Sequence, residues 1–396
     1  MNLAQDSPST TAYNPDTLVV SRLFFPRMGG IEEYAYNRCV RDAQKVKVLA
    51  AGYPGDRQFD PNQPFAIERW AMPPWLLRGF IGSLLKQVLS MFWSFVLPIV
   101  IYRRDRFTTL EWCHGYDFPS LLLLTYILPV KFVVYLHGND VLCPWRNSLL
   151  RSLFILTLNR TDKVICSSSF TYNYLSANGQ ITTPMAIVNP QVRPAKFELD
   201  TTSDLSAARS KIRQSFGIPA TAVVILTVGR LVRRKGFNRV IGCLPQLQQP
   251  ETEVHYLICG KGEMEQELKE QAAQLGVTDK VHFAGFVSDR SLASYYAACD
   301  IFAMLTFLEP NAQSIEGFGI VYLEAGYFGK PVIASEVGGV IDAVQQGVTG
   351  ILIDPHSDTE ALAGLQKLCG DPQLRQRLGE QGRARALNSQ FDLITN

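Results

Sequence analysis

The chain has 396 residues, too many for one ordinary hydrophobic core, so its length favours two domains. Hydrophobic residues make up 47% and charged residues 19% of the sequence, which excludes a disordered or fibrous protein. The 38 basic residues almost balance the 36 acidic ones, which argues against a protein that binds nucleic acid through bulk charge.

The eight cysteines are scattered and form no CxxC pair, which argues against structural zinc and against a disulfide framework. This cysteine usage favours a reducing compartment. The first fifteen residues are polar and contain no apolar core of a signal peptide. We therefore expect a cytoplasmic protein.

Short β-branched runs alternate with longer helical stretches, a pattern typical of βαβ units around parallel sheets. The first half predicts strands at Leu18–Phe25, Val46–Ala50, Phe107–Glu111, Lys131–Leu136, Lys163–Cys166 and Met185–Val188. The second half predicts strands at Ala222–Val228, Val254–Cys259, Val281–Phe283, Ile301–Ala303, Pro331–Ala334 and Gly350–Ile353. Helices are predicted at Phe237–Leu247, Met264–Leu275, Leu292–Ala298 and Asp358–Leu368. The stretch Asn189–Ala220, polar and containing three prolines, is interpreted as the linker and the start of a second sheet. Two Rossmann-like domains are expected at residues 1–200 and 201–396.

One segment does not follow this alternation of strands and helices. From Gly79 to Tyr102 the only charged residue is Lys86, and four aromatic side chains lie in the run before Tyr102. About 20 apolar residues suffice to cross a bilayer, but Pro98 and Lys86 interrupt the run and strand-helix units continue on both sides. A membrane span, a buried helix and a helix lying on a membrane surface all remain open.

The second half holds the residues most informative about chemistry. The strand that ends at Val228 is followed by Gly229, Arg230, Lys235 and Gly236, and then by a predicted helix. A strand, a glycine turn with cations and a helix form an arrangement that holds phosphate at the carboxyl end of a parallel sheet. Basic residues after a strand also occur in ordinary solvated turns, so this pattern alone does not establish a phosphate site.

A second glycine-rich turn follows some 80 residues later. Gly317 and Gly319 free the backbone to open a helix, whose exposed N–H groups suit an anion. Glu316 precedes this turn and Glu324 lies inside the predicted helix. A carboxylate beside a diphosphate is repelled, so Glu324 suits sugar hydroxyls better than phosphate. Arg230, Lys235 and the helix N-terminus would have to carry the negative charge.

These motifs resemble the donor-binding core of retaining GT-B glycosyltransferases of family 4. Glu316 and Glu324 match the E-x7-E pair of that family, and Gly229–Gly236 matches its GR-x4-KG segment. Gly260–Gly262 is similar to its G-x-G element, and Phe283–Val287 is similar to its base-contacting loop. The resemblance implies a GT-B fold, in which two Rossmann-like domains face each other across a cleft that holds the active site.

The first half carries weaker similarities to the same family. Gly29 and Gly30 follow the first strand, like the glycine pair that faces the donor diphosphate. His137 and Asp140 follow the predicted strand Lys131–Leu136, like the HG-x-D loop of the family. His114 has no such support and is interpreted as structural. The linker begins at Asn189 with N-P-Q-V, not the usual P-N-G-V-D, which leaves acceptor or hinge contacts there in doubt.

The resemblance implies transfer of a hexosyl unit from a UDP-sugar or GDP-mannose to a hydroxyl, with retention of the anomeric configuration. The expected catalytic residues are His137, Glu316, Arg230 and Lys235. The expected donor-binding residues are Gly29, Gly30, Gly285, Val287, Phe318, Gly319, Ile320 and Glu324, of which Glu324 would hold the ribose diol. Two alternatives remain: a non-hydrolysing nucleotide-sugar epimerase on the same fold, and a catalytically silent nucleotide-sugar-binding protein.

No D-x-D pair occurs in the chain, and the available cations make a metal unnecessary, so we expect neither a metal nor another cofactor. Both Glu316 and Lys235 are expected in an open cleft. The acceptor is expected to be a sugar or a lipid-linked molecule in polysaccharide or glycolipid assembly. Trp75 and Trp93, with arginines around the apolar run, favour a peripheral contact with the inner face of an anionic membrane. No nucleic-acid partner is expected.

Overall fold

The computed structural model of the chain describes residues 15–72, 79–197, 202–249, 252–308 and 314–388, without the side chains of 79–84, 202 and 203. The described residues fall into two units. The first runs to Leu136 and includes Arg146–Ile165 and Gln180–Ala186. The second includes His137–Trp145, Cys166–Gly179 and the chain from Ile187 onward. The expected boundary at residue 200 lies outside the described residues and stays a prediction.

The sheet of the N-terminal half has seven strands in the order β3-β2-β1-β4-β5-β6-β7. The strands are β1 (Thr17–Ser21), β2 (Val46–Ala51), β3 (Ala66–Trp70), β4 (Thr109–Trp112), β5 (Lys131–Leu136), β6 (Lys163–Cys166) and β7 (Met185–Ile187). The pairs from β3 to β5 are parallel. The helices of this half are α1 (Gly30–Arg41), α2 (Asp56–Phe59), α3 (Gly79–Asp105), α4 (Phe118–Ile127), α5 (Asn139–Leu142), α6 (Ser148–Asn159) and α7 (Ser169–Asn178).

The sheet of the C-terminal half has six parallel strands in the order β10-β9-β8-β11-β12-β13. They are β8 (Val223–Val228), β9 (Val254–Cys259), β10 (Val281–Gly285), β11 (Ile301–Met304), β12 (Val332–Ser335) and β13 (Gly350–Ile353). The helices are α8 (Thr202–Ser215), α9 (Phe237–Leu247), α10 (Glu265–Gln274), α11 (Asp289–Ala298), α12 (Ile320–Tyr327), α13 (Val340–Ala343), α14 (Asp358–Gly370) and α15 (Pro372–Asn388). Short 3-10 turns lie at Asp60–Asn62, Pro144–Arg146, Pro194–Lys196, Arg233–Lys235 and Thr278–Lys280.

The second sheet is buried on both faces, as its sequence predicts. Along β8, Val223 and Ile225 pack into one apolar cluster, while Val224 and Leu226 pack into the other. A parallel sheet covered on both faces reads as a continuous apolar run, because neither face meets water. The α/β fold expected from the alternating pattern is therefore confirmed in both units.

Strand β3 and helix α8 are among the elements that were not predicted from the sequence. Strand β3 is an edge strand that carries Glu68 and Arg69, and such charges are typical of edges that must not pair with another chain. The interpretation of Asn189–Ala220 as a linker and the start of a sheet is wrong for residues 202–215, which form α8. This helix is polar, but it is fixed through Arg209 and Arg213, which pair with Asp300 at 2.7 and 2.6 Å.

Helix α3 forms over the apolar run. Its segment Leu85–Asp105 is long and apolar enough to cross a membrane by length and composition, and 22% of that apolar stretch is buried. Leu85, Val88 and Phe92 lie one turn apart in sequence and are about half exposed, at 45%, 55% and 52%. The helix is therefore not an ordinary core helix. Trp75, which was expected to flank it, lies outside the described residues.

Two histidines of the second sheet stack against each other on neighbouring strands. His255 Nδ1 lies 2.8 Å from His282 Nε2, and the ring planes are 12° apart. Burial, the largest influence, lowers the pKa of both side chains, and that of His282 falls to about 4 with a further contribution from His255. Both histidines are therefore neutral in the folded protein at neutral pH.

We expect this pair to make the unit acid-sensitive. The pKa of His282 is lower in the folded protein than in the unfolded chain, so the unfolded chain binds more protons between about pH 6.5 and pH 4. The stability that the neutral side chain contributes is therefore complete above about pH 6.5 and is lost as the pH falls towards 4. Between pH 7 and pH 5, the free energy of unfolding measured in urea should fall by about 1–3 kcal/mol less for His282→Gln than for the wild type. The exposed His356 supplies the control, since His356→Gln should leave the pH profile unchanged. Identical profiles for wild type and His282→Gln would contradict this prediction.

Candidate donor-sugar site

Three charged side chains converge beyond the end of β8. Lys235 Nζ lies 2.6 Å from Glu316 Oε2, and Arg234 Nη1 lies 2.7 Å from the same oxygen. All three side chains are only 11–12% exposed, so the expectation that Lys235 and Glu316 lie in an open cleft is wrong. Gly236 makes the turn possible: it has φ 71°, and a Cβ there would lie 2.0 Å from the carbonyl oxygen of Leu305.

The charges of this triad are set by competing effects. Burial, the largest influence on Glu316, would raise its pKa, but Lys235 and Arg234 outweigh burial and hold that pKa at about 2. Burial also lowers the pKa of Lys235, against the attraction of Glu316. Glu316 is therefore ionised at neutral pH and is held between two donors. Arg234 was not singled out in the sequence, because three consecutive cations give no sign of which one turns inward.

Three motif loops meet at the carboxyl ends of β8, β9 and β10. Leu231 N donates to Lys261 O at 3.1 Å, and Gly260 N donates to Gly285 O at 2.7 Å. Gly285 ends β10 with φ 68°, a conformation that favours glycine, and Val287 follows it half-buried. The fold thus brings together the segments that the resemblance assigned to phosphate and base contacts. Arg230 lies exposed at the start of the first loop.

The glycine turn before α12 lies in the same unit. Gly319 caps the helix with φ 86°, Phe318 is buried and Ile320 is the first helical residue. The first-turn N–H groups of a helix have no helical acceptor and favour a negative charge. This geometry agrees with the predicted anion site at Phe318–Ile320.

The loop that follows β5 packs against this turn. A Cβ on Gly317 would lie 1.9 Å from the carbonyl oxygen of His137, so the contact requires glycine. Ile315 N donates to Asn139 Oδ1 at 2.8 Å, and His137 N donates to Asp140 Oδ1 at 2.8 Å. His137 is therefore placed beside the Glu316–Gly319 segment within the second unit.

Glu324 is more enclosed than its predicted role suggests. It is 1% exposed, forms an ion pair with Lys196 through Oε1 and accepts a hydrogen bond from Tyr296 through Oε2 at 2.9 Å. The helix begins at Ile320, so Glu324 lies little more than one turn inside it. Lys196 and Tyr296 were missed, since they lie 128 and 28 residues away in sequence. Contact between Glu324 and a ribose stays a prediction.

The remaining predicted donor residues lie in the first unit. Gly30 is the first residue of α1, and Gly29 precedes it. A Cβ on Gly29 would lie 2.2 Å from Glu32 Oε2, the movable end of a flexible side chain, so this position tolerates glycine without requiring it. Their predicted contact with a diphosphate is a property of both units together and stays a prediction. Among the residues that the structure describes, no group of three or more His, Cys, Asp or Glu side chains could hold a metal ion.

Comparison with known proteins supports these local features. Residues 208–385 match the family model described as glycosyl transferases group 1. A GDP-mannose-dependent alpha-(1-6)-phosphatidylinositol monomannoside mannosyltransferase of Mycolicibacterium smegmatis is 30% identical over 65% of this chain and 66% of its own length, just under two thirds. A GDP-mannose-dependent monoacylated alpha-(1-6)-phosphatidylinositol monomannoside mannosyltransferase of Corynebacterium glutamicum is 28% identical over 93% of this chain and 92% of its own.

Solved structures share the fold over nearly the whole chain. Anabaena HepE in complex with UDP and glucose has a TM-score of 0.73 at 22% identity and covers 96% of both chains. Sucrose-phosphate synthase from Thermosynechococcus elongatus has a TM-score of 0.74 at 20% identity and covers 94% of both chains. These similarities confirm the expected GT-B fold. The segment 208–385, which carries the ordered motifs, belongs to the group 1 glycosyl transferases, and the chain as a whole is similar to the two mannosyltransferases.

Proposed function

We propose that this chain transfers a hexosyl unit from a nucleotide diphosphate sugar to a hydroxyl acceptor, with retention of the anomeric configuration. The observation that carries the proposal is the triad in which Lys235 and Arg234 hold an ionised Glu316 next to the start of α12. Cleavage of the anomeric C–O bond puts negative charge on the departing diphosphate and positive charge on the sugar ring. Preorganised cations and helix N–H groups lower the free energy of such a transition state.

Each residue of the site has a role in this proposal. Lys235 and the exposed Arg230 stabilise the charge of the diphosphate, together with the first-turn N–H groups of α12. Glu316, whose second oxygen is not used by the two ion pairs, accepts hydrogen bonds from sugar hydroxyls. Glu324 holds the ribose diol, and His137 positions the reacting sugar. No second carboxylate acts as a nucleophile.

The donor is proposed to be a UDP-sugar or GDP-mannose, and the reaction is proposed to need no metal. Relatives described as GDP-mannose-dependent and a structure solved with UDP and glucose support this choice of donors. The direct test is transfer or hydrolysis of labelled UDP-glucose and GDP-mannose, with and without EDTA. We expect turnover of one of them and no effect of EDTA. Loss of turnover in EDTA and its recovery with manganese would contradict the metal-free reaction.

The acceptor is proposed to be lipid-linked and reached from the inner face of an anionic membrane. Helix α3 packs against α4, and α4 packs against α6. Each of these helices exposes large apolar side chains, which together are called the apolar face: Leu85, Val88, Phe92, Val100, Leu123, Tyr126, Ile127, Leu149, Leu150 and Leu156. Exposed apolar patches that polar residues surround mark interaction sites.

Cations border the apolar face. Arg103 and Arg106 are exposed near the end of α3, and Arg160 lies 3.6 Å from the centre of the Tyr126 ring. An aromatic ring beside a cation suits the headgroup region of a bilayer, and each basic residue near an anionic surface contributes about 1 kcal/mol. Arg104 contributes less, because it pairs with Glu68 and Asp105. These features support a peripheral membrane protein that acts on a membrane glycolipid.

Flotation with liposomes tests the membrane contact. We expect the wild type to float with anionic vesicles and to be released by added salt, since surface attraction is screened. Replacing Arg103, Arg104 and Arg106 by glutamine should release most of the protein at low salt. Lys367→Gln, on the opposite unit, is the control and should float like the wild type. Protein that stays in the soluble fraction at low salt would contradict the membrane contact and favour a soluble acceptor.

A further inference from the structure

The carboxyl ends of β1 and β4 in the first unit carry a charged cluster outside the donor site. Arg22 follows β1, and its Nη1 lies 3.0 Å from Asp117 Oδ1. Its backbone N–H donates to His114 Nε2 at 3.1 Å, which fixes the loop after β1 against the loop after β4. Asp117 is fully buried, whereas the Arg22 side chain keeps 21% of its surface exposed. The guanidinium therefore has a face that solvent or a ligand can reach.

Helix α3 brings a second cation to the same place. Ser90 Oγ donates to Asp117 Oδ2 at 3.3 Å, so this side of the helix faces the cluster. Lys86 lies one turn earlier on the same side, because residues four apart in a helix share a face. The pKa of Lys86 is lowered, first by burial and then by the positive charges of Arg27 and Arg22. Lys86 is the only charged residue in the apolar run.

The cluster has more positive than negative charge. Arg27 Nε pairs with Glu32 Oε1 at 2.9 Å and Arg22 pairs with Asp117, while Lys86 forms no ion pair with any carboxylate that the structure describes. Burial also raises the pKa of Asp117, which weakens its compensation of Arg22. A half-buried cation without a counterion costs free energy, and nearby positive charges add to that cost. A residue that lowers the stability of the folded protein in this way is expected at a functional site.

We propose that Arg22, Arg27 and Lys86 form an anion site for a phosphate ester carried by the acceptor. Arginine presents a planar fork that matches phosphate oxygens, and lysine adds a compact charge, so two arginines and one lysine suit a phosphate better than a carboxylate. The next turns of α3 expose Leu85, Val88 and Phe92, along which the apolar part of a lipid-borne acceptor would lie. The acceptor role rests on the proposed function, but the phosphate contact does not.

Lys86→Gln is the sharpest test, because it removes the unpaired charge and leaves no carboxylate without a partner. The probes are soluble glycerol 3-phosphate in calorimetry, and phosphatidylcholine vesicles with and without phosphatidylinositol in flotation. We expect Lys86→Gln to weaken binding of the phosphate-bearing probe about tenfold or more, while the melting temperature stays equal or rises. Arg27→Gln, on a side chain that is 42% exposed, should weaken binding of the same probe by a similar factor.

Lys131→Gln, on an exposed lysine at the start of β5 in the same unit, is the control, and it should keep binding of both probes at the wild-type level. Lys86-dependent binding of glycerol 3-phosphate supports a soluble phosphate ester, and Lys86-dependent binding of phosphatidylinositol vesicles alone supports a lipid-borne one. Equal losses in Lys86→Gln and Lys131→Gln with both probes would overturn the site in favour of general surface charge. Absence of any phosphate binding in the wild type would overturn it too.

Binding of UDP and GDP separates this inference from the proposed function. A wild type that binds a nucleotide but neither phosphate probe refutes the phosphate site alone. A wild type that binds a phosphate probe in a Lys86-dependent way, but neither turns over nor binds any nucleotide sugar, keeps the site and refutes the proposed transferase.

Discussion

Lys235→Ala is expected to lower turnover by about 10²–10³-fold, because it removes a charged donor that acts on the departing diphosphate. The side chain is 11% exposed and ends at Glu316, so the alanine variant loses an ion pair but opens no large apolar cavity. Arg234 remains 2.7 Å from the same carboxylate oxygen and keeps Glu316 ionised. The measurement is kcat with the accepted donor, beside thermal unfolding of each variant.

Glu316→Ala is expected to lower turnover by a similar factor, with a larger loss of stability than Lys235→Ala. Without the carboxylate, Lys235 and Arg234 are two buried cations next to each other that have lost their shared negative partner. Glu316→Gln should restore part of the stability but not the turnover. Arg233→Gln is the matched control, an exposed cation of the same 3-10 turn that should keep wild-type kcat. Near wild-type turnover in Lys235→Ala and Glu316→Ala, with unchanged melting temperatures, would refute the assigned site.

Much of this site could be predicted because parallel sheets place loops in a regular way. The ends of β5, β8 and β9 are as predicted, and in a parallel sheet the loops after neighbouring strands meet at one edge. Gly260, for example, could be expected near Gly285 from strand order alone, and the two are joined by a hydrogen bond. Periodicity and turn residues were sufficient for these features.

The partners of the charged groups could not be predicted in the same way. Which of Arg233, Arg234 and Lys235 reaches Glu316 depends on the dihedral angles of a 3-10 turn that ends at Gly236. Helix α8 was missed because its apolar positions are few, although the polar run before it is typical of a helix start. Its stability comes from tertiary contacts with Asp300, which lies almost 90 residues later. Long-range ion pairs leave no periodic signal.

The second prediction with a large expected effect concerns stability and the ion pair between Lys196 and Glu324. Both side chains are buried, at 7% and 2% exposure, so Lys196→Met leaves a buried carboxylate without its cation. Removing one partner of such a pair typically costs about 3–5 kcal/mol, and we expect a loss of that order in urea unfolding. Tyr296→Phe removes one hydrogen bond to the carboxylate and should cost about 1–3 kcal/mol.

The double variant Lys196→Met with Glu324→Gln tests the cause. A neutral amide needs no cation, so the double variant should recover part of the stability lost in Lys196→Met. Lys211→Met, on an exposed lysine of α8, should unfold like the wild type. If Lys196→Met and Lys211→Met unfold alike, the pair does not contribute to stability.

The same variants test the role of Glu324 in donor binding. Each carboxylate oxygen has two lone pairs, so Glu324 can keep Lys196 and Tyr296 and still accept from a ribose hydroxyl. In that arrangement Lys196 fixes the carboxylate, and Lys196→Met should raise KM for the donor more than it lowers kcat, because the ribose lies away from the bond that breaks. Glu324→Gln should raise KM in the same way. A fall in kcat with unchanged KM in both variants would place Glu324 at the reacting centre, contrary to the ribose assignment.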